Sequence, residues 1–119
     1  MTAADSRVIV YLEHITQAIQ RITRYTSDIS EVAFLENEML QDAVIRNIEI
    51  IGEAAKNIQR HAPEFAARHS DIPWEVIYAM RNRVAHGYFK VDLELVWETT
   101  QHDLPALAAE IERLLQTVR

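Results

Sequence analysis

Cysteine is absent from the 119 residues, which excludes disulfides and thiolate metal sites and suits a reducing compartment. Glycine occurs only twice and proline three times, too few for a glycine-rich loop that cradles phosphates or for a loop-dominated fold. No stretch approaches the ~18 to 20 consecutive apolar residues of a membrane span. The opening "MTAADSRVIVYLEHI" lacks a basic segment followed by an unbroken apolar run, so a cytoplasmic protein without membrane association is expected. Basic residues are also in deficit, 12 against 18 acidic, and the net charge of −6 disfavours broad, nonspecific adhesion to nucleic acid. That deficit is uneven: residues 41–90 carry seven basic and six acidic side chains and are the only segment that is not acidic.

What remains is a chain built for helices. Apolar residues make up 49% and charged residues 25%, with abundant Ala, Leu, Ile and Glu, and strand-like alternation is missing. The length fits one domain, residues 1–119, small enough that a second copy could be needed to cover an apolar face. Val8, Leu12, Ile15, Ile19 and Ile22 fall on one face of a helix from about Asp5 to Tyr25. Ser30 is a candidate N-cap for a short helix over "SEVAFLENE". The longest element runs from about Glu38 to His61, with Leu40, Val44, Ile48, Ile51, Ala55 and Ile58 in one stripe. Ala43, Ile50 and Ala54 widen that stripe, so this helix has to bury more than one side. Gly52 at its centre costs roughly 1 kcal/mol relative to Ala and marks close approach of another backbone, from this chain or from a second subunit.

Pro63 suits the first turn of a short helix over "APEFAARH", and Pro73 starts another that carries Trp74, Ile77, Met80 and Val84 and stops at Gly87. A helix from about Leu93 to Gln101 and a last one beginning near Pro105 complete the chain. The expected architecture is an all-α, single-domain bundle of about five to six helices, the two longest antiparallel.

The stretch "MRNRVAHGYFKVD" gathers chemistry at one helix end. Asn82 and His86 are four residues apart and share a helical face, with Arg81 beside them. An imidazole titrates near pH ~6.5 and exchanges protons at neutrality, and a guanidinium fork holds two phosphate oxygens. RNA carries its own nucleophile, the 2′-hydroxyl, so its cleavage requires only proton transfer and charge stabilisation. The competing reading of the same residues is structural, because cations in a last turn offset the negative end of any helix. The five histidines show no i, i+4 ligand spacing and no carboxylate completes a facial triad, which argues against a built-in metal centre.

"RNRVAH" followed by "GY" matches R-x4-H-x-Y, the signature of HepT-like proteins in the HEPN superfamily. "RNIEIIGEAAKNI", "IPWEVIYAMRNRVAHGYF" and "VDLELVWETTQHDLPAL" resemble that family in order, so the resemblance covers nearly the whole chain. It implies the toxin of a bacterial toxin–antitoxin pair, a metal-independent endoribonuclease needing no cofactor. It further implies a homodimer whose two motifs face a shared cleft, extending to a heteromeric complex with the antitoxin. By the same resemblance Arg81 stabilises the phosphate, His86 acts as general acid or base and Asn82 orients them. Tyr88 is then the acceptor of AMP from an MntA-like minimal nucleotidyltransferase antitoxin. A bulky anion there, two residues from His86, would exclude the RNA phosphate by volume and charge. In the dimer, Arg81, Arg83 and Lys90 would make a basic groove for RNA on an acidic body. Arg46 and Lys56 read as solvated residues that could also line it, and Glu53 and Asn47 as supports for the arginine or as polar groups satisfied at a helix contact. The other functional class compatible with these features is a non-catalytic helical subunit that binds a nucleotidyltransferase, with Tyr88 only an acceptor.

Overall fold

The computed structural model describes residues 3–85 and 92–119, with side chains over 6–82 and 92–119. Among them the chain forms α1 (Ala3–Thr26), α2 (Glu31–Leu35), α3 (Glu38–His61), α4 (Pro63–Arg68) and α5 (Trp74–Ala85). It continues with α6 (Leu93–Glu98), a π-helical turn (Thr99–Asp103) and α7 (Leu104–Val118). The described residues contain no strand, and the architecture is the all-α bundle that the periodicity implies.

Local signals start the helices where the side chains allow. Ser30 caps α2 by accepting from the Ala33 N–H at 3.1 Å, and Asn37 caps α3 by accepting from the Leu40 N–H at 3.0 Å. Asp92 does the same for α6 through the Leu95 N–H at 3.1 Å. The apolar stripes then choose the packing. Val8, Leu12, Ile15, Ile19 and Ile22 of α1 are all buried against a core that includes Val44, Ile48, Ile51, Ala55 and Ile58 of α3. Arg21 meets Asn47 and Tyr11 stacks on His61, so early α1 lies beside late α3 and the two long helices are antiparallel. The other flank of α3 is covered by α5, where Lys56 lies beside Tyr78 and Glu53 beside Arg81, again antiparallel. This accounts for the wide apolar girth of α3: it is packed from two sides. α7 covers α1 with Ile111, Leu114 and Leu115, and Arg119 reaches back to Glu13 at 3.0 Å. Phe34 of α2, fully buried, meets Trp97 of α6 at a ring distance of 5.4 Å.

Residues 93–118 differ from the sequence expectation of two helices parted near Pro105. They form one continuous rod, leaving six rods in all among the described residues. Within an α-helix Pro105 would clash with the carbonyl four residues earlier and leave it without its donor. Here the turn before it widens, and the Leu104 N–H donates to Thr99 O, five residues back. Thr99 and Thr100 add hydroxyl bonds to the Leu95 and Trp97 carbonyls at 2.9 and 2.7 Å. The proline is therefore absorbed by a π turn rather than by a helix break. The helix stop assigned to Gly87 lies outside the described residues. No described helix is long and apolar enough to cross a membrane.

Candidate active site at the seam of α3 and α5

Gly52 sits in the middle of α3, directly under Arg81 of α5. A Cβ built on Gly52 would fall inside van der Waals contact of the Arg81 Cβ and lie 2.9 Å from its Cγ. The close approach expected at Gly52 is thus made within this chain, and what approaches is the stem of the arginine. Hydrogen at this one position sets how near α5 can come to α3.

The arginine is then held from three directions. Its Nη2 pairs with Glu53 Oε1 at 3.0 Å, and its Nη1 donates to Asn82 Oδ1 at 2.9 Å. Its guanidinium carbon lies 5.8 Å from the centre of the Tyr78 ring. The Arg81 side chain is 20% exposed and that of Glu53 52%, so the guanidinium is sheltered while the carboxylate faces water. A pair with one solvated partner contributes on the order of 1 kcal/mol or less to stability. Its larger effect is on direction, since a guanidinium gripped at both terminal nitrogens has lost its rotamer freedom before any ligand arrives.

Of the residues singled out in the sequence, Arg81 and Asn82 are brought together, and Glu53 joins them. Asn47 does not. Its Oδ1 accepts from Arg21 Nη1 at 3.0 Å and its Nδ2 donates to the Ala43 carbonyl at 2.9 Å, so it satisfies the α1–α3 contact instead of the arginine. Six residues separate Asn47 from Glu53, which turns them to different sides of α3. Arg83 falls inside α5, but its side chain is outside the described atoms; His86, Tyr88 and Lys90 lie outside the described residues. Arg46 is exposed on α3. Among the described residues no group of three His, Asp or Glu side chains is placed to hold a metal ion.

Two neighbours of the arginine carry no motif signal in the sequence. Tyr78 lies one helical turn before Arg81, and Lys56 Nζ stands 5.1 Å from the centre of the same ring. The i, i+3 spacing of Tyr78 and Arg81 is visible in the sequence, whereas the approach of Lys56 to Tyr78 follows from the antiparallel register of α3 and α5.

Comparison with known proteins gives a consistent result. Residues 15–114 match the family described as "Ribonuclease HepT-like". A Methanocaldococcus jannaschii protein named "Gamma-glutamylcyclotransferase and putative RNase" is 44% identical over 109 residues. That match covers 92% of this chain and 48% of the relative, so the chain spans about half of that protein's length. A "Probable ribonuclease HepT" from Thermococcus cleftensis is 42% identical over 104 residues, 87% of this chain and 92% of the relative. A "Putative RNase" from Caldanaerobacter subterraneus subsp. tengcongensis is 38% identical over 106 residues, 89% and 92% of the two chains. No solved structure matches the chain significantly.

Proposed function

The chain belongs to the HepT-like ribonuclease family, and on that premise we propose that it is a metal-independent endoribonuclease, the toxin of a toxin–antitoxin pair. The observation that carries the reading is the fixed guanidinium: Arg81 seated on Gly52 and gripped by Glu53 and Asn82 inside the R-x4-H-x-Y motif. Five N–H donors let one arginine serve a carboxylate and a phosphate together.

In this mechanism the 2′-hydroxyl attacks the neighbouring phosphorus, the bond to the 5′-oxygen breaks, and a cyclic phosphate and a 5′-hydroxyl are released. Arg81 binds the nonbridging oxygens, whose negative charge grows in the transition state. His86 takes the proton of the attacking hydroxyl or returns one to the leaving oxygen, and a homodimer with both motifs in one cleft supplies both functions. Asn82 keeps Arg81 aimed. Arg83 and Lys90 contribute charge along the RNA path. AMP transferred to Tyr88 by a cognate minimal nucleotidyltransferase, the antitoxin, closes the cleft to RNA.

The test is direct. Purified protein cleaves RNA in excess chelator, and Arg81→Ala and His86→Ala each lower the rate by about 100-fold or more without unfolding the protein. Full activity in His86→Ala would remove the proton-transfer role. Tyr88→Phe cleaves RNA, takes up no AMP from the nucleotidyltransferase and ATP by mass spectrometry, and stays toxic when the two are expressed together. Harmless expression of the parent chain alone would instead favour a regulatory subunit.

A further inference from the structure

Beside Arg81, toward the first turns of α5, the seam with α3 opens into a groove of about 490 Å³ lined by Lys56, Gln59, Arg60, Glu75 and Tyr78. One ring joins it to the candidate active site, since Tyr78 has the Lys56 ammonium on it at 5.1 Å and the Arg81 guanidinium at 5.8 Å. An aromatic face holds cations by its quadrupole, so Tyr78 keeps both charges at the seam instead of letting them drift into solvent.

The charge of the groove differs from that of the protein around it. Arg81, Lys56 and Arg60 follow one another along the seam, and two carboxylates stand near them. Glu53 is paired with Arg81, and Glu75 is exposed on the groove wall. Among the described residues neither Lys56 nor Arg60 forms an ion pair, although Lys56 is half-buried. The Lys56 ammonium is held at the groove by the Tyr78 ring, where an anion from solution can reach it.

We propose that Lys56, held by Tyr78, together with Gln59 and Arg60 forms a backbone-phosphate subsite that holds the RNA strand next to the bond poised at Arg81. The proposal rests on the ribonuclease reading and adds to it the direction of the strand: along the seam of α3 and α5, from Arg81 toward Arg60. Two cations and an amide set beside an aromatic ring suit a single strand, whose phosphates are spaced along the groove and whose bases are free to face away.

The experiment uses the full chain carrying His86→Ala, so that RNA is bound and not cut, and a short fluorescent single-stranded RNA. Affinity is followed by anisotropy across a salt series, with melting curves as the control. Lys56→Gln is expected to weaken binding by about 5- to 10-fold and to reduce the slope of log affinity against log salt by about 0.7, the share of one phosphate contact on a single strand. Lys56→Arg keeps the charge and restores both quantities. Arg60→Gln acts in the same sense, and Glu75→Gln tightens binding by about 2- to 3-fold. In the His86 parent, the loss in Lys56→Gln appears as a raised KM with a smaller change in kcat, which a merely structural lysine would not produce. Unchanged affinity and salt slope in Lys56→Gln and Arg60→Gln, with a parent that binds and cleaves RNA, would overturn the subsite and leave the ribonuclease reading intact. Failure of the parent to bind RNA even at low salt would overturn both.

Discussion

Arg21 reaches α3 from α1, and Arg81 reaches it from α5; the two seams hold their arginines differently. Arg21 meets the neutral amide of buried Asn47 at 3.0 Å, and that amide in turn bonds the Ala43 carbonyl. The contact satisfies a polar group within an otherwise apolar seam. Arg81 meets a solvated carboxylate, a neighbouring amide and an aromatic face, over a glycine that lets its stem lie against α3. Satisfying one polar atom requires one partner, whereas aiming a cation at a ligand requires restraint from several sides. The α1–α3 seam thus satisfies polar groups between two helices, and the α3–α5 seam fixes the direction of one guanidinium.

The comparison is most sharply broken at Gly52. Helix propensity alone would have Gly52→Ala stabilise α3 by roughly 1 kcal/mol. The added methyl, however, meets the Arg81 Cβ and Cγ, which sit next to the α5 backbone and cannot swing aside as a side-chain tip would. Overpacking of this kind costs about 1–3 kcal/mol, so a net loss of stability is expected in thermal melts. The larger effect is on chemistry. Displacing the guanidinium by about 1 Å is expected to lower RNA cleavage about 100-fold, read as initial rates on fully folded protein.

Glu53→Gln probes orientation without volume. The amide oxygen still accepts from Arg81, but the charge that holds the guanidinium is gone. Cleavage is expected to fall about 10-fold with stability shifted by less than about 1 kcal/mol, because the carboxylate is half exposed. A loss of stability without loss of rate would place Glu53 with the packing residues and erase the distinction between the seams.

Much of the bundle was legible in the sequence because its signals are local. The stripe of Val8, Leu12, Ile15, Ile19 and Ile22 repeats within one helix, and all five are buried. Ser30 caps the helix that follows it for the same reason. Pro105 misled, since the rule that proline opens helices assumes α geometry, and a turn bonded five residues back lifts that constraint. At the site, Gly52 announced a close approach, but its partner is 29 residues away in sequence, and nothing local to either position names the other. The same limit applied to Lys56, which reads as a solvated lysine until the register of α3 and α5 sets it over Tyr78. Asn47 and Glu53 looked equivalent, two polar residues on an apolar helix, and only the positions of α1 and α5 around α3 separate them.

That separation makes Asn47→Ala the last and mildest test on activity. Truncation removes the acceptor of Arg21 and the i−4 bond to Ala43, and the arginine, only partly buried, turns toward water. The expected cost is about 1 kcal/mol, the lower end of the range for leaving a polar group without its partner, and it is read in a denaturant melt. RNA cleavage by the folded fraction is expected to match the parent within about twofold, because the α3–α5 seam keeps every contact to Arg81 and effects at separated sites without shared partners add independently. A 10-fold loss of rate in Asn47→Ala would mean that the two seams are coupled through α3, and that the arginine on one side is aimed in part by the packing on the other.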